Sequence, residues 1–155
     1  MNKYLVIGNP IEHSLSPLLH NYWIKQNNIK ATYDKKEANS DDLKNLIEKV
    51  REKNISGINV TVPFKKEIIP HLDRLTLDAE VTQSVNTIFK RQNMLVGDNT
   101  DVYGFSEAVK LTNFNPVNKS ALILGAGGVV PSVLLALKNM GVDPVSYTHL
   151  RAHET

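Results

Sequence analysis

Ser56-Gly57-Ile58-Asn59-Val60-Thr61-Val62-Pro63-Phe64-Lys65 reads as a short strand for the middle of a sheet, ending on a proline and delivering a lysine. The run from Ser56 to Val62 is uncharged and rich in β-branched side chains, which pack well on a pleated surface. Pro63 has no N–H to give the ladder and closes it. Lys65 therefore stands just past the carboxyl end of a buried strand, where open α/β sheets collect their ligands. An ammonium held there is costly to desolvate unless an acid or a polar ligand meets it, so Lys65 is a candidate for proton transfer. The alternative is a solvated lysine that opens the next helix beside Lys66.

Towards the N-terminus, Lys3 to Gly8 reads as a buried strand, and Gly8-Asn9-Pro10 breaks it into a loop that runs to Ser16-Pro17. Ser16 is expected to cap a helix with Pro17 at its first position and Leu18, Leu19, Tyr22 and Trp23 as its apolar residues. Ala31 to Lys35 is a weak strand. Ser40 is expected to cap a second helix, whose Leu43, Leu46, Ile47 and Val50 recur on one face opposite Lys and Glu. The order β-α-β-α-β favours a largely parallel sheet.

Beyond Lys65, the apolar residues Ile68, Ile69, Leu72, Leu75, Leu77 and Val81 predict two short helices divided near Asp73 to Thr76. Val85 to Lys90 and Met94 to Gly97 form a hairpin pattern turning at Gln92-Asn93. Asp98-Asn99-Thr100-Asp101 is a polar cluster just after a strand, either a turn with a helix cap or part of a site, and Tyr103 to Leu111 resumes helical spacing. Asn113 to Lys119 has the composition of a linker. Ser120 to Leu124 is then a strand running into Gly125-Ala126-Gly127-Gly128, followed by a helix over Val129 to Met140 that Gly141 stops.

Composition narrows the function classes. In 155 residues, Lys and Arg number 18 against 16 Asp and Glu, and no basic run is interleaved with aromatics, so neither a nucleic-acid nor a membrane partner is expected. The absence of cysteine removes thiolate nucleophiles and cysteine metal sites, and it fits a reducing, cytoplasmic location. His13 and His20 lack the spacing of a helical metal pair, while His149 and His153 have it without a further ligand, so no metal is expected.

The glycine loop has a strand before it and a helix after it, the context in which backbone N–H groups cradle a pyrophosphate. Val130 stands where that fingerprint wants a third small residue, and no acid follows about twenty residues on, so a plain tight turn is the alternative. Ser14 and Ser16 bracket a helix start and could bind a carboxylate there, or Ser16 could merely cap. Asn86 could serve a ligand or only its local backbone.

Gly8-Asn9-Pro10-Ile11-Glu12-His13-Ser14-Leu15-Ser16-Pro17-Leu18-Leu19-His20-Asn21 resembles the N-terminal signature of the shikimate dehydrogenases, which reduce 3-dehydroshikimate to shikimate with NADPH. Asn59 to Lys65, Ser84-Val85-Asn86-Thr87, Asn99-Thr100-Asp101 and the glycine loop are similar to that family's later landmarks, in the same order. The resemblance covers about residues 3 to 144. It implies that Ser14 and Ser16 hold the substrate carboxylate, that Thr61, Asn86 and Asp101 address its ring hydroxyls, and that Lys65 and Asp101 form the catalytic pair. It also implies that Gly125, Ala126, Gly127, Gly128 and Val129 meet NADP(H). The fold it implies is α/β: a substrate domain over residues 1–112 with a mostly parallel mixed sheet flanked by helices, a linker over 113–119, and the first strand and helix of a truncated Rossmann domain over 120–144.

Three departures qualify the resemblance. Gln83-Ser84 stands where family members often have Gly-Ala, and Val102 replaces a common glycine, which leaves shikimate and quinate both open as substrates. Residues 145–155 match none of the family and read as a truncation scar that adds nothing to the fold, with the chain as given unable to complete catalysis. A second function class stays open beside the enzyme: a non-catalytic module that binds a shikimate-like ligand. Retention of both Lys65 and Asp101 favours an enzyme.

Overall fold

A computed structural model describes residues 1–143 and 145–148. Its larger part is a sheet flanked by helices, built from β1 (Asn2–Gly8), α1 (Ser16–Gln26), β2 (Ala31–Glu37), α2 (Ser40–Arg51) and β3 (Gly57–Val60), then β4 (Arg74–Leu75), α3 (Leu77–Thr82), β5 (Thr87–Arg91), β6 (Met94–Asp98) and α4 (Thr100–Leu111). The six strands lie in the order β2-β1-β3-β5-β6-β4. β1 pairs in parallel with β2 and β3, and β4 with β6, while β5 runs antiparallel to both β3 and β6. The mixed, mostly parallel α/β sheet expected from the sequence is therefore present.

Alternation along the strands sorts the core. Ile7, Ile58 and Val60 face α2 and meet Leu43, Leu46, Ile47 and Val50, all buried. Val6 faces the other way, with Tyr33 and Ile11, beneath α1. Each large apolar side chain taken fully from water contributes about 1.5–3 kcal/mol, so the α2 face dominates stability.

Several local expectations need correction. Asn39, not Ser40, caps α2: its side chain accepts from the Asp42 N–H while Asp42 accepts from the Asn39 N–H, a reciprocal box that Ser40, with Leu43 three residues on, cannot form. Ser16 is not the cap of α1 but its first residue. Leu15 occupies the cap position without a side-chain bond, and the Ser14 hydroxyl accepts from the Ser16 N–H at 3.4 Å. The apolar residues Leu18, Leu19, Tyr22 and Trp23 of α1 are exposed, and Ile24 supplies the helix's packing instead. The central strand ends at Val60 rather than Val62, although the Thr61 N–H still donates to Ile7. The first of the two short helices expected after Lys65 is a single 3-10 turn, Ile69–His71, and β4 separates it from α3.

The smaller part follows a connecting stretch. β7 (Ala121–Leu124) leads through the glycine loop into α5 (Val130–Asn139), which stops at Gly141 with φ +78°, and β8 (Val145–Thr148) pairs in parallel with β7. This matches the start of a Rossmann-like unit. Val145–Thr148 were expected to stand outside the fold and instead pair in parallel with β7; Val145, Tyr147 and Thr148 are residue types enriched in strands. The remainder of that stretch, with His149 and His153, lies outside the described residues. No described helix is long and apolar enough to cross a membrane.

Candidate active site

The topology brings the predicted residues to one edge of the sheet. β1 and β3 are parallel neighbours, so the loop carrying Ser14 and the segment carrying Thr61 and Lys65 leave the same edge. β5 is antiparallel and begins there, which puts Asn86 beside them; β6 ends there, which puts Asp101 in the first turn of α4. The Asn9 N–H donates to the Val62 carbonyl at 3.0 Å and ties the first two loops together. A Cβ at Gly8 would fall 2.6 Å from Thr61 Cγ2 and 3.0 Å from the Val62 carbonyl oxygen, so only glycine permits this approach.

Lys65 Nζ donates to Asp101 Oδ2 at 2.7 Å, with both side chains largely shielded. The Lys65 backbone is held as well, because its carbonyl accepts from the Val85 N–H at 2.8 Å. Asn86 completes the pair by donating from Nδ2 to Asp101 Oδ1 at 2.8 Å. Which end of Asn86 faces Asp101 is fixed by the backbone: the Thr100 N–H can only donate, and it meets Asn86 Oδ1 at 3.0 Å. Both oxygens of the carboxylate are thus engaged, one by an ammonium and one by an amide.

A further line of hydrogen bonds, which the sequence reading missed, supports Asn86. Asn59 donates to the Asn86 carbonyl at 3.2 Å and to Thr87 Oγ1 at 3.0 Å, and Thr87 Oγ1 donates to Asn86 Oδ1 at 3.0 Å. The Tyr33 hydroxyl donates to Asn59 Oδ1 at 2.7 Å. Burial pushes the Tyr33 phenol up to about 12, against a lowering by the Ser16 hydroxyl that faces it. His20 stacks on the Tyr33 ring at 4.1 Å, and Asn21 clamps the Tyr33 backbone in both directions. A polar Asn59 on an otherwise apolar strand was the available signal, since a shielded amide requires partners.

The glycine loop lies across a cleft of about 420 Å³ from this pair; Pro63, Lys65, Ser84, Ala126, Gly127 and Gly128 are among its lining residues. A Cβ built at Gly125, Gly127 or Gly128 meets nothing within 4 Å, so the loop backbone is open to close approach, and no side chain caps α5. Val129, expected at the helix start, is the cap residue and is exposed. A larger cleft of about 660 Å³ along α5 is lined by Val81, Pro131 and Leu134 and lies away from the Lys65–Asp101 pair.

Comparison with known proteins gives the family of the chain. A family model of the shikimate dehydrogenase substrate binding domain matches residues 6–88. The chain belongs to the shikimate dehydrogenase family. It is 53% identical over 154 residues to the NADP(+) shikimate dehydrogenase of Pelagibacter ubique, with 97% of this chain and 58% of that protein covered. Against the shikimate dehydrogenase of Buchnera aphidicola the identity is 43%, with coverage of 90% and 51%. The crystal structure of shikimate dehydrogenase from Aquifex aeolicus superposes with a TM-score of 0.88 at 39% identity, over 95% of this chain and 55% of that one. The Thermus thermophilus enzyme in complex with shikimate gives 0.87 at 33%, over 95% and 56%. The chain thus spans about half the length of the curated relatives it matches.

Proposed function

We propose that the chain supplies the substrate-binding and acid–base half of an NADP-dependent shikimate dehydrogenase, which reversibly reduces 3-dehydroshikimate to shikimate on the route to chorismate and the aromatic amino acids. The observation that carries this reading is the Lys65–Asp101 pair at 2.7 Å, braced by Asn86 and opening onto the cleft that the glycine loop shares. In this reading residues 1–112 are the shikimate unit, 113–119 the connection, and the stretch from residue 120 through β8 the opening of the nucleotide unit.

In this reading Ser14 and Ser16 hold the substrate carboxylate at the start of α1, and Thr61, Asn86 and Asp101 receive the ring hydroxyls. Removing hydride from a secondary alcohol requires the hydroxyl proton to leave. Lys65 Nζ accepts that proton, and Asp101 holds the amine in place and balances the ammonium that forms. In the biosynthetic direction the Lys65 ammonium returns the proton to the developing alkoxide and stabilises its charge. The nicotinamide, when bound, stores and delivers the hydride. The open backbone of Gly125, Ala126, Gly127, Gly128 and Val129 at the N-terminus of α5 fits a pyrophosphate, and the structure of a shikimate dehydrogenase in complex with NADP+, 31% identical and with a TM-score of 0.90, supports assigning the same cofactor here.

The test is shikimate-dependent reduction of NADP+ by the protein with its nucleotide unit complete. Lys65→Ala and Asp101→Ala should each lower turnover by about 100-fold or more while weakening shikimate binding far less. Near-normal turnover in both variants would remove the roles assigned to them, and binding without any reduction by the unsubstituted protein would identify a binding module instead.

A further inference from the structure

Asn99 lies at the junction of the two units and is 2% exposed. Its orientation is unambiguous, because Oδ1 accepts the Asp101 N–H at 3.0 Å and a backbone N–H can only donate. Nδ2 must therefore supply the donors. It reaches Thr82 Oγ1 at 2.9 Å, the Ser84 carbonyl at 2.9 Å and Ser132 Oγ at 2.8 Å, three acceptors that share its two hydrogens. Ser132, fully buried, belongs to the first turn of α5, directly behind the glycine loop. Ser84 lies two residues before Asn86, and its own hydroxyl reaches the Gly128 carbonyl at 3.5 Å. One side chain thus touches the backbone of the acid–base carboxylate, the segment that leads to its amide partner, and the helix that carries the glycine loop.

Besides Thr82 and Ser132, the buried residues of α3, α4 and α5 are Ala79, Val102 and Ala136, all small, while larger side chains such as Phe105 and Val133 are only half-buried. Hydrogen bonds at a buried site are directional, and a missing partner there is costly. They are the contacts able to set the register between the two units.

We propose that Asn99 and Ser132 are positioning residues, which set the glycine loop against the acid–base pair by tying α5 to the N–H of Asp101. This inference rests on the proposed function only in taking Asp101 as the catalytic carboxylate. Ser132→Ala removes one acceptor and leaves a similar volume, so the chain keeps its core. In the ligand-free chain, ¹H–¹⁵N spectra of this variant should show displaced Asn99 side-chain amide and Asp101 backbone amide resonances, with hydrogen exchange at the Asp101 amide faster by about twofold to threefold, less than a whole hydrogen bond because Thr82 and Ser84 still accept from Nδ2. Shikimate should bind more weakly by a similar factor. As a control, Ser106→Ala removes a hydroxyl of α4 itself, whose bond goes to the Val102 carbonyl, and should leave the Asp101 amide unchanged. The proposal is overturned if Ser132→Ala lowers the melting temperature while the Asp101 amide keeps its shift and exchange rate. Because that readout needs no ligand, failure of the unsubstituted protein to bind shikimate would refute the proposed function and leave this inference to be decided separately.

Discussion

The two units of this chain secure their functional groups in opposite ways. The β1–α4 unit surrounds a six-stranded sheet with a core of fully buried Ile7, Leu43, Ile47, Ile58, Ile68, Ile88 and Leu95, and the candidate site side chains Lys65, Asn86 and Asp101 hang from a hydrogen-bonded network at one sheet edge. The β7–β8 unit presents a backbone loop, and its sheet is two strands with Leu122 and Leu124 each 65% exposed. An acid–base pair needs side chains held to a fraction of an ångström, which a packed core and a network supply. A phosphate cradle needs only open backbone at a helix start, so it asks less of the residues around it.

Packing should separate the two units most strongly. Leu43→Ala, in the first unit, should cost about 2–5 kcal/mol, because it empties a fully buried site. Leu122→Ala, in the second, should change stability by less than about 0.5 kcal/mol. Urea denaturation of both variants measures the difference, and equal losses would show that the units share one cooperative core rather than relying on that of the first.

Alkaline pH provides a smaller test that acts on the first unit alone. The folded Tyr33 phenol is raised to about 12 from 10.0, chiefly by burial, so the fold favours its protonated form. The stability linked to it is fully present below pH 10 and is lost as pH rises from there towards 12, on the order of 2 kcal/mol at most. Tyr33→Phe should flatten that alkaline limb in melting experiments between these values, and an unchanged limb would mean that Tyr33 ionises as freely in the folded chain as in the unfolded one.

Much of this was legible in residue types and spacing. The strand before Pro63, the face of α2 and the hairpin at Gln92-Asn93 follow from periodicity and turn chemistry, and they determine the sheet on which Lys65, Asn86 and Asp101 converge. The errors arose where two local signals competed. Asn39 and Ser40 are both good caps, and the choice falls to the acid three residues on, a signal present in Asn39-x-x-Asp42 and passed over. Gln83 takes the left-handed conformation, φ +49°, at the end of α3, where the family often has glycine; that departure concerns the backbone turn and leaves the neighbouring site residues in place. The support from Tyr33, Asn59 and Thr87, and the tie from Asn99 to Ser132, join residues distant in the chain and follow no period, so only the folded arrangement reveals them.

Calorimetric titration of shikimate into the protein examines whether the sheet edge carrying Ser14, Ser16, Lys65, Asn86 and Asp101 is a shikimate site. Saturable binding is expected, weakening by about tenfold or more when Ser14 and Ser16 are both replaced by alanine, the scale of losing hydrogen bonds to a carboxylate. Absence of binding, or binding indifferent to both serines, would contradict that assignment.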